Sequence, residues 1–310
     1  MSYDENYSTV SGNDLMNQAG IAKSIHQRLL NVRDETGEDF NSILARYGLE
    51  RLLYRLVISN HSDSFVLKGA MLFQLWHDVP GRPTRDIDLL GFGDPSHERL
   101  KQVFSDACSV SFDADGLRFD LASILTSDIR DDQEYFGIRI RLHGFLNTAR
   151  VPVQVDVGFG DSVTPPAEMI TYPTLLDLPS PRLRAYHPAT VVAEKVNAMV
   201  VYGLMNSRMK DFYDVYVLLE HMDWDEEVLV KLISATFDKR KVDLPKEMPV
   251  AFTTEFLEDG LKEKQWNAFL NRSKLMEFQL PLREVIDYLS KRLWPIIQKA
   301  QIHPERRSKK

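Results

Sequence analysis

The chain of 310 residues contains a single cysteine, Cys108. That excludes an internal disulfide framework and any zinc site built on several thiolates, and it favours a reducing compartment. Fifteen glycines and fifteen prolines are too few for a collagenous or low-complexity protein. No apolar stretch approaches the roughly eighteen residues that a membrane span requires. The opening segment, MSYDENYSTVSGND, is polar and acidic and lacks the basic and apolar regions of a secretory leader, so the expected location is cytoplasmic, with no membrane partner. Positive charge is not in excess. Lys and Arg number 38 against 45 Asp and Glu, a formal charge of −7. Generic coating of nucleic acid is therefore disfavoured, but a local basic cleft is not. Walker A, dinucleotide-binding glycine and G-x-S-x-G patterns are all missing. The eight histidines are scattered, without ligand spacing.

With 44% hydrophobic and 27% charged residues, the chain is of ordinary globular composition and long enough for two domains. From about Leu15 to Ser59 the apolar period is helical. Ile21, Ile25 and Leu29 share one face, Leu49, Leu53 and Leu56 another, and Asp39–Arg46 reads as a short helix between them. Strand patterns then appear at Phe65–Leu67, Ile87–Leu90, Ile138–Leu142 and Val151–Val157, with Pro152 suggesting an edge or a strand start. Met71–Trp76 reads as a helical turn or two. A proline-rich connection follows Asp161 and marks a plausible boundary. Beyond it, helical stripes return at Val192–Val200 and Phe212–Leu219. A third runs over Leu282–Leu293 and is expected to stop near Pro295. The basic tail, Glu305–Lys310, reads as a solvated end. Together these describe an α+β chain with a small mixed sheet.

The informative stretch is Lys68-Gly69-Ala70 followed by Arg82-Pro83-Thr84-Arg85-Asp86-Ile87-Asp88. On a strand, Asp86 and Asp88 share a face while Ile87 points into the core. Adjacent ionised carboxylates repel, and one is driven to protonate unless a cation sits between them. Oxygen-only ligands suit Mg²⁺ or Mn²⁺. Asp156, alternating with valines, is the candidate third acid of a two-metal site. Gly69, at a strand-to-helix turn, permits close approach of a phosphate to backbone N–H groups. The bland alternative places all three acids on solvated faces.

Further on, Glu194-Lys195 precedes Arg208-x-Lys210-Asp211-x-x-Asp214. Lys195 lies off its helix's apolar stripe and reads on its own as a solvated lysine. Asp211 and Asp214 are neighbours on one helical face, near a helix start where acids are favoured by the macrodipole alone.

These two blocks resemble the AbiEii/AbiGii-type nucleotidyltransferase toxins, relatives of the MenT toxins within the DNA polymerase β superfamily. The resemblance covers most of residues 60–220. The family turn is usually Gly-Gly or Gly-Ser; with Ala70 in second place, phosphate binding here rests on backbone donors. The resemblance implies a polymerase-β-like core over residues 61–180, an N-terminal helical segment over 1–60 packing on it, and a C-terminal helical domain over 181–310. It implies Asp86, Asp88, Asp156, Lys195 and Asp211 as catalytic residues. The first three would hold the metal, Lys195 would meet the triphosphate or the developing charge on the leaving group, and Asp211 would orient that lysine or help deprotonate the incoming hydroxyl. Lys68, Gly69, Ala70, Arg85, Arg208 and Lys210 would bind nucleotide. The implied partners are an NTP substrate, an RNA acceptor such as the tRNA 3′ end, and a cognate antitoxin. Arg139 and Arg141, on one face of their strand, are candidate RNA contacts, as is the tail. Three other readings stay open: nucleotide transfer to a protein hydroxyl, a non-catalytic nucleotide-binding module, and a purely structural helical protein.

Overall fold

Asp39 accepts the Ser42 N–H at 3.1 Å and so starts a helix that is buried along most of its length, its charged Glu50, Arg51 and Arg55 included. In the computed structural model this helix, α2 (Phe40–Ile58), follows α1 (Gly12–Thr36). The expected short helix at Asp39–Arg46 and the later leucine stripe are therefore one element. In chain order come β1 (Phe65–Lys68), a short helical segment (Gly69–Leu75), β2 (Asp86–Gly91), α3 (His97–Ser109), β3 (Leu117–Phe119) and β4 (Leu125–Asp128). Then follow β5 (Gly137–Leu146), β6 (Ala149–Phe159), β7 (Glu168–Thr171), β8 (Arg182–Ala185), α4 (Pro188–Tyr202), α5 (Met209–His221), α6 (Glu226–Lys239), α7 (Leu261–Arg272) and α8 (Leu282–Gln301). The structure describes residues 12–76, 81–129, 137–160, 165–258, 260–275 and 277–302, so the basic tail, His77 and His303 lie outside the described residues. The fold class is α+β, as expected, with a mixed sheet.

The chain divides into two compact units. The first comprises Met1–Phe65, Thr84–Phe159 and Thr171–Leu183. Its sheet is built on the β5–β6 hairpin, which turns at Asn147 with a positive φ of 55°, a conformation Asn tolerates. β3 and β4 pair antiparallel with β5, and β2 pairs parallel with the far side of β6. Valines 151, 153, 155 and 157 alternate inward with Ile138, Ile140 and Leu142, all buried. α2 approaches this layer so closely that a Cβ added at Gly48 would lie 2.4 Å from Val151 Cγ1.

Pro152 belongs to an inner strand, but at a point where the expectation of a strand start has a physical basis. β2 pairs with β6 only from Gln154 onward. Across from Pro152, His143 gives its N–H to Ser123 Oγ (3.0 Å) and its carbonyl to the Asp120 N–H (2.9 Å). The His143–Pro152 pair thus exchanges no ladder bonds, and the missing proline N–H costs nothing there. The proline-rich segment 171–183 is fixed to α2. Leu175 N–H donates to Glu50 Oε2 at 2.8 Å, and both Arg51 Nη atoms donate to the Pro179 carbonyl at 3.1 Å.

The second unit comprises Val66–Pro83, Gly160–Ile170 and Arg184–Lys310. Leu67 of β1 pairs parallel with Ala185 of β8, and Gly69 follows with φ +74° at the turn into the short helical segment. Helices α4, α5, α6 and α8 pack together. α8 runs through Pro295 rather than stopping there, because Ile296, Ile297 and Ala300 beyond it are buried.

Candidate functional site

The first unit gathers the three acids proposed from sequence. β2 buries Ile87 and Leu89 and turns Asp86 and Asp88 to the other face. The parallel register sets Asp88 beside Asp156 and Asp86 beside Gln154. One carboxylate oxygen from each of Asp86, Asp88 and Asp156 lies within 4.8 Å of the others. Thr84 Oγ1 donates to Asp86 Oδ1 at 2.5 Å, which fixes that carboxylate at the mouth of β2. Among the described residues no other group of three or more potential ligating side chains is assembled in this way.

Arg139 enters this cluster from β5. Its Nε reaches Asp156 Oδ1 at 2.8 Å and its Nη2 reaches Oδ2 at 2.6 Å, a bidentate pair across the hairpin. The hydrogen bonds to Asp156 push the Arg139 pKa up against the opposing effect of burial, and the charges of Asp86 and Asp88 act with them. Arg139, a candidate RNA contact in the sequence, is held among the acids. Arg141, two residues on, donates to Gln154 Oε1 at 3.2 Å. The trio is an oxygen-only, acidic donor set, which fits a hard divalent cation in ligand type.

The second unit gathers the other block. Lys195 of α4 contacts Asp211 Oδ1 at 2.6 Å and Asp214 Oδ2 at 2.8 Å, both on α5. Arg82 Nε and Nη2 reach Asp214 at 3.0 and 3.2 Å, and Arg208 Nε reaches Asp211 Oδ2 at 2.7 Å. Both aspartates are fully buried and paired with cations rather than capping the helix, and Lys195, only 15% exposed, is not a solvated lysine. Burial alone would raise the Asp211 pKa, but Lys195, Arg208 and Lys210 outweigh it and hold the carboxyl far below its ordinary range. Burial would likewise lower the Lys195 pKa, and Asp211 and Asp214 outweigh it, so the lysine stays protonated. Lys195, Arg82 and Arg208 thus gather around the two carboxylates, a cation-rich setting that suits a phosphate group. An aspartate so firmly ionised is a weak base, and this favours the orienting role for Asp211 over the proton-accepting one.

Of the remaining expected residues, Gly69 occupies the β1 turn and Ala70 is buried behind it. Lys68 lies over the Tyr186 ring, 5.9 Å from its centroid. Arg85 and Lys210 are exposed. In the sequence Arg82 counts with Lys68 and Arg85 as positive charge near the turn, and Asp214 has no assigned role. The burial of Asp214 and its pairing with Arg82 are not readable there, although the i, i+3 spacing of Asp211 and Asp214 is a signal for a shared partner. The Arg139–Asp156 pair follows from the hairpin register once the turn at Asn147 is located.

The chain thus offers paired acids on a strand with a third acid beside them, and a cation cluster suited to phosphate. Residues 51–287 match the sequence profile described as nucleotidyl transferase AbiEii toxin, type IV toxin–antitoxin system, and the chain belongs to that family. No curated protein matches it. Among solved structures it is similar to JHP933 from Helicobacter pylori at 13% identity and a TM-score of 0.46, over 86% of this chain and 95% of that one. It is also similar to a candidate nucleotidyltransferase from the same organism at 14% identity and a TM-score of 0.43, with the same coverage of each chain, 86% and 95%. Among the described residues no helix is long and apolar enough to cross a membrane.

Proposed function

We propose that this chain is a divalent-metal-dependent nucleotidyltransferase toxin that transfers a nucleotide from an NTP to the 3′ end of RNA, tRNA above all, and so blocks translation in the cytoplasm until a cognate antitoxin restrains it. The observation that carries the reading is the Asp86–Asp88–Asp156 trio, with oxygens within 4.8 Å of one another on two register-matched strands.

Asp86, Asp88 and Asp156 are the residues that would hold Mg²⁺ or Mn²⁺. When bound, such an ion supplies charge neutralisation on phosphate oxygens and acidifies the attacking hydroxyl. In the reaction, the acceptor 3′-hydroxyl oxygen forms a bond to the α-phosphorus as the bond to pyrophosphate breaks. Pyrophosphate leaves with the bonding pair, and the hydroxyl proton passes to solvent. Protonated Lys195, held by Asp211 and Asp214, offers fixed positive charge to phosphate oxygens, with Arg208 beside it. Lys68, the Gly69-Ala70 turn, Arg85 and Lys210 complete the proposed nucleotide contacts. No side-chain nucleophile is required.

The test is incubation with total tRNA and each of the four labelled nucleotides, followed by sequencing of RNA ends. Label on RNA 3′ ends, dependent on divalent ion, is the expected result. Label that migrates with protein would overturn the acceptor, and absence of pyrophosphate release under all conditions would overturn the chemistry.

A further inference from the structure

The open face of the first unit's sheet carries more than the acid trio. Because side chains alternate along β5 and β6, Arg139, Arg141, His143 and Phe145 share one face with Arg150, Pro152, Gln154 and Asp156. β3 adds Arg118, which lies in register with Phe145, and Phe145 lies in register with Arg150. An aromatic ring is thus flanked by an arginine on each neighbouring strand. Arg118, Arg141 and Arg150 are exposed, and among the described residues none of them has a carboxylate at ion-pair distance. Arg150 Nη2 contacts His143 Nδ1 at 3.1 Å, and the His143 ring stands edge-on to Phe145 at 5.3 Å. Asp120, an acid beside this path, is directed to His143 Nε2 at 3.3 Å.

Within an acidic chain this is a concentrated strip of positive charge with a stacking surface in it. We infer that this strip, Arg141 to the Arg118–Phe145–Arg150 row, binds single-stranded RNA and leads its 3′ end toward the acid trio. The inference rests on the proposed RNA acceptor and deepens it. The charge is complementary to a phosphodiester chain, and an aromatic ring between guanidiniums suits an unstacked base, since base–aromatic stacking tolerates any sequence. From Arg139 to Phe145 the strand advances six residues, about 20 Å, or roughly six nucleotides of a stacked strand. The cations are arginines on paired strands, so their positions are set by register rather than by a mobile loop.

The experiment measures binding of a fluorescein-labelled single-stranded oligoribonucleotide to the full chain by anisotropy, without NTP, over a range of salt. Wild type is compared with the Arg118→Ala/Arg150→Ala double variant, with Phe145→Ala, and with Arg118→Lys/Arg150→Lys. The alanine pair should weaken binding at least about tenfold and flatten the log–log salt slope by about 1.4, as loss of two phosphate contacts requires. Phe145→Ala should weaken binding about tenfold with the slope unchanged, and the lysine pair should retain the slope. Equilibrium binding of NTP should be equal in all four proteins. Absence of RNA binding by wild type, unchanged affinity and slope in the alanine variants, or displacement of RNA from Arg-intact protein only by an acidic polypeptide would each overturn the inference. RNA binding lost in these variants alongside a wild type that transfers no nucleotide would leave the surface standing and remove the transferase reading. Transfer to RNA with binding unaffected by the variants would do the reverse.

Discussion

Arg139 closes over Asp156 through both carboxylate oxygens, at 2.8 and 2.6 Å, on the side of β6 away from Asp88. A guanidinium placed there supplies part of the positive charge that a clustered acid set demands, and it competes with any ion for the same oxygens. Arg139→Gln should therefore tighten divalent binding. The Mn²⁺ concentration for half-saturation, read by electron paramagnetic resonance on the isolated chain, should fall severalfold. An unchanged or higher value would show that Asp156 is not shared between the two cations.

Asp86→Asn and Asp88→Asn change one oxygen to an amide at nearly constant shape, and Thr84 can still donate to residue 86. Each should reduce nucleotide transfer by at least about a hundredfold, the scale of losing metal-held phosphate stabilisation. The thermal midpoint without metal should stay level or rise, since like-charge repulsion is relieved. Near wild-type turnover in either variant would remove the metal role from these acids.

The two units differ in how much of this was legible beforehand. D-x-D on a strand and alternating valines around Asp156 are local patterns, and they placed the acids because strand periodicity fixes the face. Arg139's role needed the hairpin register, which a pattern of alternating residues does not supply until its turn is found. Lys195 was harder. Its partners come from another helix and, through Asp214, from Arg82 far back in the chain, so its burial is a tertiary property that helical periodicity misreads as exposure. Pro295 misled in the opposite direction. An internal proline costs about 3 kcal/mol. Burying Ile296 and Ile297 beyond it returns about 1.5–3 kcal/mol each, so α8 continues.

Lys195→Ala should impair both fold and chemistry, because it leaves Asp211 and Asp214 buried with one cation fewer. Loss of one partner from a buried ion pair costs about 3–5 kcal/mol. Lys195→Ala with Asp214→Asn should recover much of that stability but not the activity, a split that a purely structural lysine would not produce. The same cluster fixes an acid limit. Asp211's pKa is depressed in the fold, so its contribution is present above the unfolded carboxylate value of about 3.9 and disappears as pH falls below it. Denaturant midpoints from pH 7 downward should show that acid-side loss in wild type and less of it in Asp211→Asn.

Glu50 predicts a pH dependence of the opposite sign. Its carboxylate lies between Arg51 (2.8 Å) and the Leu175 N–H (2.8 Å), almost wholly buried on α2. Burial is the dominant influence and pushes its pKa up from 4.5 to about 7, against the pull of Arg51, the Leu175 N–H and Arg46. A native state that keeps its proton longer than the unfolded chain is favoured most at low pH. This contribution is therefore full below about 4.5 and is lost as pH rises through about 7. The loss is up to about 3 kcal/mol by the usual conversion of 1.36 kcal/mol per pKa unit. Glu50→Gln keeps an acceptor for Leu175 but cannot titrate. Chemical unfolding of wild type and this variant at steps across the window should give a stability difference that changes steadily between those limits and is flat beyond them. A difference that stays constant throughout would mean that Glu50 remains ionised beside Arg51, and that the pair tethers segment 171–183 as a permanent salt bridge.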